Sequence, residues 1–134
     1  MQRKLNCVLL IDDDEPTNFL SQMLVEEAHC TEHIKVMQSG QEALNFLMNC
    51  ERRPDLIFLD INMPAMNGWE FLNKYVTLEK KQPGETILVM LTTSLDPDDE
   101  IKAKNIACVT DFKRKPLTKK MIDEILDTYF AGRS

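Results

Sequence analysis

Five polar side chains stand where short apolar runs of this chain end, and their types could support chemistry together. In chain order they are Asp12, Asp13, Asp60, Thr92 and Lys115. A carboxylate at the rim of an apolar strand is costly to bury unless it is paired or bound to a metal. Asp60, which follows the run Ile57–Leu59, therefore needs a partner. We expect the aspartates, the threonine hydroxyl and the lysine amine at these strand ends to form one site.

The acids Asp12, Asp13 and Asp60 would need a cation if their strands are neighbours. Two carboxylates about 4 Å apart repel by roughly 4 kcal/mol at an effective dielectric constant of about 20. A few hard oxygen ligands, with room for water and a phosphate, suit Mg²⁺ better than zinc. Asp14 and Glu15 are instead typical of a helix N-terminus, where acids interact favourably with the dipole. The same interpretation stays open for Asp12 and Asp13.

Thr92 and Lys115 extend the prediction from metal binding to phosphoryl transfer. Aspartate can act as a nucleophile that forms an acyl phosphate. A lysine and a metal ion would neutralise charge on the transferred group, and a hydroxyl would donate a hydrogen bond to one of its oxygens. Either residue alone is more often a solvated surface side chain, so the hypothesis depends on Asp60, Thr92 and Lys115 lying together.

The composition bounds the class of protein. The chain has 134 residues, enough for one domain with its own core, and 43% hydrophobic with 28% charged residues is typical of a soluble globular protein. A net charge of −6 argues against direct binding to nucleic acid or to an anionic membrane. The first apolar run is too short for a signal peptide or a membrane span, and the four cysteines show no metal-binding spacing, so we expect a cytoplasmic location.

Apolar runs alternate with segments of helical period along the whole chain. We predict strands at Cys7–Ile11, His33–Met37, Asp55–Asp60, Thr86–Leu91 and Cys108–Phe112, the second of them at or near a sheet edge. This (βα)₅ order predicts an α/β fold, a parallel sheet with helices on both faces. Such sheets bind ligands at the carboxyl ends of their strands, near the point where strand order reverses.

The helical segments predict which side chains face the core. For the first helix, which Pro16 opens, the predicted inner stripe is Phe19, Leu20, Met23 and Leu24. The second helix, capped by Ser39, would bury Ala43, Leu44, Leu47 and Met48, and the third Phe71, Leu72, Tyr75 and Val76. The last would bury Met121, Ile122, Ile125, Leu126, Tyr129 and Phe130. The segment Asp98–Lys104 has few apolar anchors, and Lys80–Gly84 is the clearest loop.

Four spaced motifs resemble the receiver domain of bacterial two-component response regulators. They are Leu10-Ile11-Asp12-Asp13, Leu59-Asp60-Ile61-Asn62-Met63-Pro64 with Gly68, Leu91-Thr92-Thr93 and Lys115-Pro116. The resemblance covers essentially the whole chain and implies a flavodoxin-like, doubly wound sheet with strand order 2-1-3-4-5. We expect residues 1–134 to be a single, stand-alone, chemotaxis-regulator-like receiver domain without an attached effector domain.

The resemblance also implies a site. Asp60 would accept a phosphoryl group from a sensor histidine kinase or a histidine phosphotransfer protein. Asp13, Asp60 and the main-chain carbonyl of Asn62 would bind Mg²⁺, and Asp12 would act through water. Lys115 would pair with Asp60 and then with the phosphate, with a cis bond to Pro116.

By the same resemblance, Thr92 and Phe112 would form the switch. Thr92 would move toward the phosphate and Phe112 would turn inward, which changes a docking face made of the fourth helix, the fifth strand and the last helix. The output would be binding to a downstream target protein. The domain would then be no enzyme, promoting only its own phosphorylation and dephosphorylation.

A haloacid-dehalogenase-type, Mg²⁺-dependent phosphatase is the alternative. The stretch Asp13-x-Glu15-x-Thr17 approaches the Asp-x-Asp-x-Thr signature of that class, but the second acid is Glu and Pro16 interrupts it. No paired acids follow a later strand, and Asp60 would have no role.

Overall fold

Strands and helices alternate in the computed structural model, which describes residues 4–81, 86–93 and 96–131. The strands within these ranges are β1 (Leu5–Ile11), β2 (Thr31–Met37), β3 (Leu56–Asp60), β4 (Ile87–Thr92) and β5 (Asp111–Arg114). The helices are α1 (Glu15–Glu27), α2 (Gly40–Asn49), α3 (Gly68–Lys81), α4 (Pro97–Lys104) and α5 (Lys119–Tyr129). The predicted (βα)₅ order is confirmed. None of these helices is long and apolar enough to cross a membrane.

The five strands form one parallel sheet in the order β2-β1-β3-β4-β5, as predicted. The order reverses between β1 and β3, which are direct neighbours. Their register pairs Ile11 with Leu59, so both strands end at the same edge of the sheet. The predicted switch point therefore lies next to Asp12 and Asp60.

The two faces of the sheet carry separate apolar layers. Leu9 and Ile11 of β1 pack in the layer that α2 and α3 cover. Val8 and Leu10, which alternate with them, pack in the layer that holds the inner face of α5. Successive side chains of a strand point to opposite faces, so a strand covered on both sides is apolar throughout. The doubly wound α/β fold is confirmed.

Most of the predicted helix faces are buried. Ser39 caps α2 by accepting a hydrogen bond from the Glu42 main-chain N–H at 3.1 Å. The buried residues on α2, α3 and α5, and at the cap that follows α5, include Ala43, Leu44, Leu47, Phe71, Leu72, Tyr75, Ile122, Ile125, Leu126 and Phe130. Val76, Met121 and Tyr129 are half-buried. The prediction was wrong for Met48, which is 54% exposed.

The predicted face of α1 is wrong for three of its four residues, whereas Leu24 is half-buried and packs against the core. Phe19 and Leu20 are more than 60% exposed and Met23 is 41% exposed. The buried residues are Asn18, Ser21 and Val25, which recur at i, i+3 and i+7 and so share one face of the helix. Phe19, Leu20 and Met23 lie on the opposite, exposed side of the helix. Two of the three buried residues, Asn18 and Ser21, are polar.

Several strand boundaries differ from the prediction by one to three residues, and the start of β5 differs most. Cys108 lies in a turn after α4, and β5 begins three residues later than predicted, at Asp111. Cys108 and Val109, which precede β5, still pack against the core. They end a turn in which the Val109 N–H donates a hydrogen bond to the Ile106 carbonyl at 3.1 Å. The start of the predicted loop 80–84 belongs to α3, and residues 82–84 lie outside the described ranges.

Candidate functional site

The carboxyl edge of the sheet gathers buried polar side chains. Asp12 is 6% exposed, Asp60 is 5% exposed and Thr92 is fully buried. Asp12 follows β1, while Asp60 and Thr92 end β3 and β4. Because neighbouring strands of this parallel sheet end together, three of the predicted site residues meet at one edge, next to the strand-order reversal.

The three predicted acids form one cluster. Asp12, Asp13 and Asp60 each offer a carboxylate oxygen, and these atoms lie within 4.8 Å of one another. Asp13 is exposed and the other two are buried, so the cluster opens to solvent on the Asp13 side. Carboxylate oxygens at these separations fit a hard divalent cation such as Mg²⁺.

Lys115 supplies a positive charge to this cluster. Its Nζ lies 2.6 Å from Asp12 Oδ2 and 3.1 Å from Asp60 Oδ1. Burial, and then the nearby Asp12 charge, raise the pKa of Asp60 against the opposing effect of Lys115. Burial lowers the pKa of Lys115, but the hydrogen bonds and the negative charges of Asp12 and Asp60 together outweigh burial and raise the pKa. The ammonium is therefore shared between two buried carboxylates.

The loop between β1 and α1 is held by its own aspartates. The Asp14 N–H donates to Asp12 Oδ1 at 2.9 Å. Asp14 caps α1, and its carboxylate accepts hydrogen bonds from the hydroxyl and the N–H of Thr17, which lower the pKa of Asp14. The predicted helix N-terminal role is thus confirmed for Asp14, whereas Asp12 and Asp13 face the cluster.

The loop after β3 requires a glycine at its end. A Cβ at Gly68 would lie 2.8 Å from the main-chain oxygen of Asp60 and 2.9 Å from Ile61 Cα. The Gly68 N–H donates to the Ile61 carbonyl at 2.8 Å, which closes the loop around Asn62. A backbone hydrogen bond from Asn62 to the Asp60 carboxylate lowers the pKa of that carboxyl, although burial prevails. Asn62 therefore lies beside the cluster.

The predicted switch residues lie on β4 and β5. The Thr92 main-chain oxygen accepts a hydrogen bond from the Lys115 N–H at 2.8 Å, which ties the two strand ends together. The Lys115–Pro116 bond is cis, as the resemblance implied. Phe112 is half-buried and packs against the layer under α2 and α3. The movement of Thr92 and Phe112 stays a prediction.

Two features of α1 were missed. Asn18, 4% exposed, donates from Nδ2 to the Asp12 main-chain oxygen at 2.7 Å. The exposed apolar side of the helix borders a cavity of about 280 Å³ that reaches Pro116, next to Lys115. The spacing of Asn18, Ser21 and Val25 was the available signal, but apolarity pointed to the neighbouring residues instead.

The phosphatase alternative finds no support in this geometry. Thr17 bonds to Asp14 in the first turn of α1, where it serves the helix cap. Glu15 is exposed in the same turn. Asp60 lies in the acidic cluster, and the alternative assigned it no role.

Comparison with known proteins agrees with the geometry. The chain is 31% identical over 136 residues to a probable cyclic di-GMP phosphodiesterase of Vibrio cholerae, and the match covers 99% of this chain. The chain spans only 29% of the length of that relative.

Solved structures share the whole fold. A two-component response regulator from Cytophaga hutchinsonii has a TM-score of 0.86 and 36% identity, covering 95% of this chain and 98% of that one. The Mn²⁺-bound form of response regulator Rcp1 has a TM-score of 0.74 and 26% identity, covering 96% and 97%. The response regulator receiver domain family matches residues 8–127. The chain therefore belongs to that family, the receiver domains of two-component signalling, and is a phosphorylation-controlled signalling domain.

Proposed function

We propose that Asp60 accepts a phosphoryl group from the phosphohistidine of a sensor histidine kinase or a histidine phosphotransfer protein. One observation carries the assignment. Asp60 ends β3 almost completely buried, within 3.1 Å of the Lys115 ammonium and inside a cluster of acids. Burying a carboxylate costs free energy, and buried ionisable groups with shifted pKa values are common at functional sites.

The transfer follows from the groups around Asp60. A carboxylate oxygen of Asp60 attacks the phosphorus, and the bond from phosphorus to the imidazole nitrogen breaks with its electron pair going to the nitrogen. The products are an aspartyl phosphate and histidine. Lys115 offsets charge on the phosphoryl oxygens, and the Thr92 hydroxyl donates a hydrogen bond to one of them.

Mg²⁺ is the proposed cofactor. Asp13, Asp60 and the main-chain carbonyl of Asn62 would hold the ion, and Asp12 would act through water. When bound, it would neutralise charge on the acids and on the phosphoryl group. The carboxylate separations, the loop closed at Gly68 and the metal-bound form of a solved relative support this assignment.

The surface beside the site suits the docking of a protein phosphodonor. Phe19, Leu20 and Met23 project from α1, and a cavity of about 280 Å³ continues from Leu20 and Met23 to Pro116. Contiguous exposed apolar surface commonly marks a protein interface. Since Pro116 follows Lys115, a protein docked there would hold its histidine close to Asp60.

The proposed output is binding to a downstream protein through α4, β5 and α5. Ala103 is the buried residue of α4, while Ile101 is 57% exposed, so the helix is lightly anchored. A movement of Thr92 and Phe112 on phosphorylation would reach α4 through this packing. We assign the domain no turnover beyond its own phosphorylation and dephosphorylation, and no nucleic-acid contact, given a net charge of −6. The cytoplasmic location stays a prediction.

Intact-mass measurement tests the central assignment. Incubation with acetyl phosphate and Mg²⁺, or with a panel of phosphorylated histidine kinases, is expected to add one phosphoryl group to the chain. Asp60→Asn is expected to abolish the adduct because no carboxylate remains to attack. Chelation of the metal is expected to abolish it as well.

Asp123→Asn is the matched control, because it removes an exposed carboxylate of α5 away from the cluster. It should be phosphorylated like the wild type. A persistent adduct on the Asp60→Asn chain, or equal labelling with chelator, contradicts the proposal.

A further inference from the structure

The buried face of α1 carries a polar side chain that the proposed chemistry does not use. Asn18 is 4% exposed and lies among the residues that separate α1 from the sheet. An apolar residue of similar size would fill this place without the cost of burying an amide. The buried amide therefore calls for a reason beyond packing.

The hydrogen bond of Asn18 ends on the backbone of the acidic cluster. Its Nδ2 donates to the main-chain oxygen of Asp12 at 2.7 Å. That oxygen belongs to the peptide group that leads to Asp13. The bond therefore fixes the orientation of the peptide between two acids of the cluster.

Other contacts hold the Asp12 end of the same peptide. The Asp12 N–H donates to the Met37 carbonyl at 3.1 Å, and the Asp12 carboxylate meets Lys115 and the Asp14 N–H. These contacts position Asp12 itself. Asp13 is exposed, so the direction of its side chain depends on the backbone that Asn18 holds.

A small cavity places Asn18 behind the phosphoacceptor as well. This space of about 10 Å³ is lined by Asn18, Ser21, Asp12 and Asp60, among others. Ser21 shares the buried face and the cavity, but its hydroxyl is not the group bonded to the Asp12 carbonyl. Asn18 and Ser21 therefore differ in the hydrogen bond to the Asp12 main-chain oxygen, which only Asn18 of the two donates.

We propose that Asn18 is a positioning residue for the metal, acting through the Asp12–Asp13 peptide. The inference rests on the proposed function, since it assumes that the cluster binds Mg²⁺. Loss of the Asn18 amide should reduce the affinity for Mg²⁺ more than it reduces the stability of the fold. Partners of metal ligands commonly contribute 10- to 100-fold to affinity, and an indirect contact through the backbone should lie near the lower end, at roughly tenfold.

Calorimetric titration of the purified chain with Mg²⁺ alone tests this. Asn18→Leu keeps the volume and removes the amide, Asn18→Ala is a second variant with a smaller side chain, and Ser21→Ala is the control. Thermal unfolding in chelator reports the fold independently. The half-saturating Mg²⁺ concentration and the maximal rate of acetyl phosphate labelling supply a second readout.

Both Asn18 variants are expected to raise the Mg²⁺ dissociation constant roughly tenfold. They should raise the half-saturating Mg²⁺ concentration equally and lower the maximal labelling rate much less. Wild-type affinity in either folded Asn18 variant overturns the inference, as does an equal loss in Ser21→Ala. A wild-type chain that binds no Mg²⁺ overturns the proposed metal site together with the inference, whereas binding without labelling counts against the proposed function alone.

Discussion

At the scale of single residues, the site is short of positive charge. The Lys115 ammonium contacts both Asp12 and Asp60, and Asp13 lies within the same cluster. Three carboxylates thus lie together at the sheet edge, and Lys115 contacts two of them. A divalent cation would supply the missing charge, which is the physical reason for expecting the site to depend on a metal.

Ala65, in the loop after β3, offers a test of backbone strain near the site. Its φ of 64° lies in the left-handed region, which costs a residue with a Cβ about 1–2 kcal/mol. Ala65→Gly should relieve most of this cost, although glycine also loses more freedom on folding. We expect a gain of about 0.5–1 kcal/mol in the free energy of unfolding, measured by urea denaturation.

Ala28→Gly is the matched control, because Ala28 has a φ of −74° at the end of α1. There the glycine relieves no strain, so we expect a loss of about 0.5–1 kcal/mol. Changes of the same sign in the two variants contradict the interpretation of Ala65.

At the scale of elements, α5 is tied to the edge strand β5 by a small polar network. The Tyr129 hydroxyl donates to Asp111 Oδ2 at 2.9 Å. Lys113 Nζ lies 3.7 Å from the same carboxylate oxygen and 3.9 Å from Glu124 Oε2 on α5. An edge strand of four residues has one neighbour in the sheet, so these contacts add to its attachment.

Tyr129→Phe should loosen this attachment. It removes the hydroxyl that donates to Asp111 and leaves the aromatic ring in place. A hydrogen bond of this kind contributes about 1 kcal/mol to folding, so the free energy of unfolding at neutral pH should fall by about that amount. Urea denaturation measures the change, and an unchanged midpoint contradicts it.

The same residue predicts a dependence on high pH. Burial, followed by the Asp111 hydrogen bond and charge, raises the pKa of Tyr129 to about 12. The unfolded chain releases this proton near pH 10, as free tyrosine does. The contribution of Tyr129 is therefore complete below about pH 10 and is lost as the pH rises toward about 12.

The stability difference between the wild type and Tyr129→Phe isolates this effect from the titration of lysines. We expect it to shrink steadily between about pH 10 and pH 12. A difference that stays constant across this range argues against the raised pKa.

At the scale of the whole molecule, the site lies between two surfaces with separate proposed partners. The exposed apolar side of α1 continues to Pro116 beside Lys115, where a phosphodonor would dock. The proposed output surface includes α4, which contacts α3 through Lys102 Nζ, 4.5 Å from the centre of the Trp69 ring. Donor and target would then meet different helices of the same domain.

A double substitution, Phe19→Ser with Leu20→Ser, tests the donor surface. Both side chains are more than 60% exposed, so stability should change little. Phosphotransfer from a histidine kinase that labels the wild type should slow about tenfold, the equivalent of 1.4 kcal/mol of lost docking energy. Labelling by acetyl phosphate, which needs no docking, should be unchanged.

Met48→Ser is the control for this surface, because Met48 is 54% exposed on α2. It should leave both reactions at the wild-type rate. Equal slowing by Met48→Ser, or slowing of acetyl phosphate labelling in the double variant, contradicts a donor surface on α1.

The sequence predicted the sheet and the meeting of the polar strand-end side chains well, for a shared physical reason. Strands covered on both faces are continuously apolar, so polar residues that end them, such as Asp60 and Thr92, are conspicuous. Parallel strands then bring those ends to one edge. Boundaries were less predictable: the apolar Cys108 and Val109 satisfy their burial in a turn, and the register with β4 sets where β5 begins.

The sequence alone determined the alternating architecture, the acids at the strand ends and the family resemblance, because these depend on local pattern and spacing. Only the tertiary structure decided which face of α1 turns inward. Apolar periodicity favoured the face of Phe19, yet α1 lies over an edge where a main-chain carbonyl of Asp12 needs a donor, and Asn18 supplies it. A buried polar backbone group needs a hydrogen bond, and this demand becomes visible only when the sheet edge and the helix are brought together.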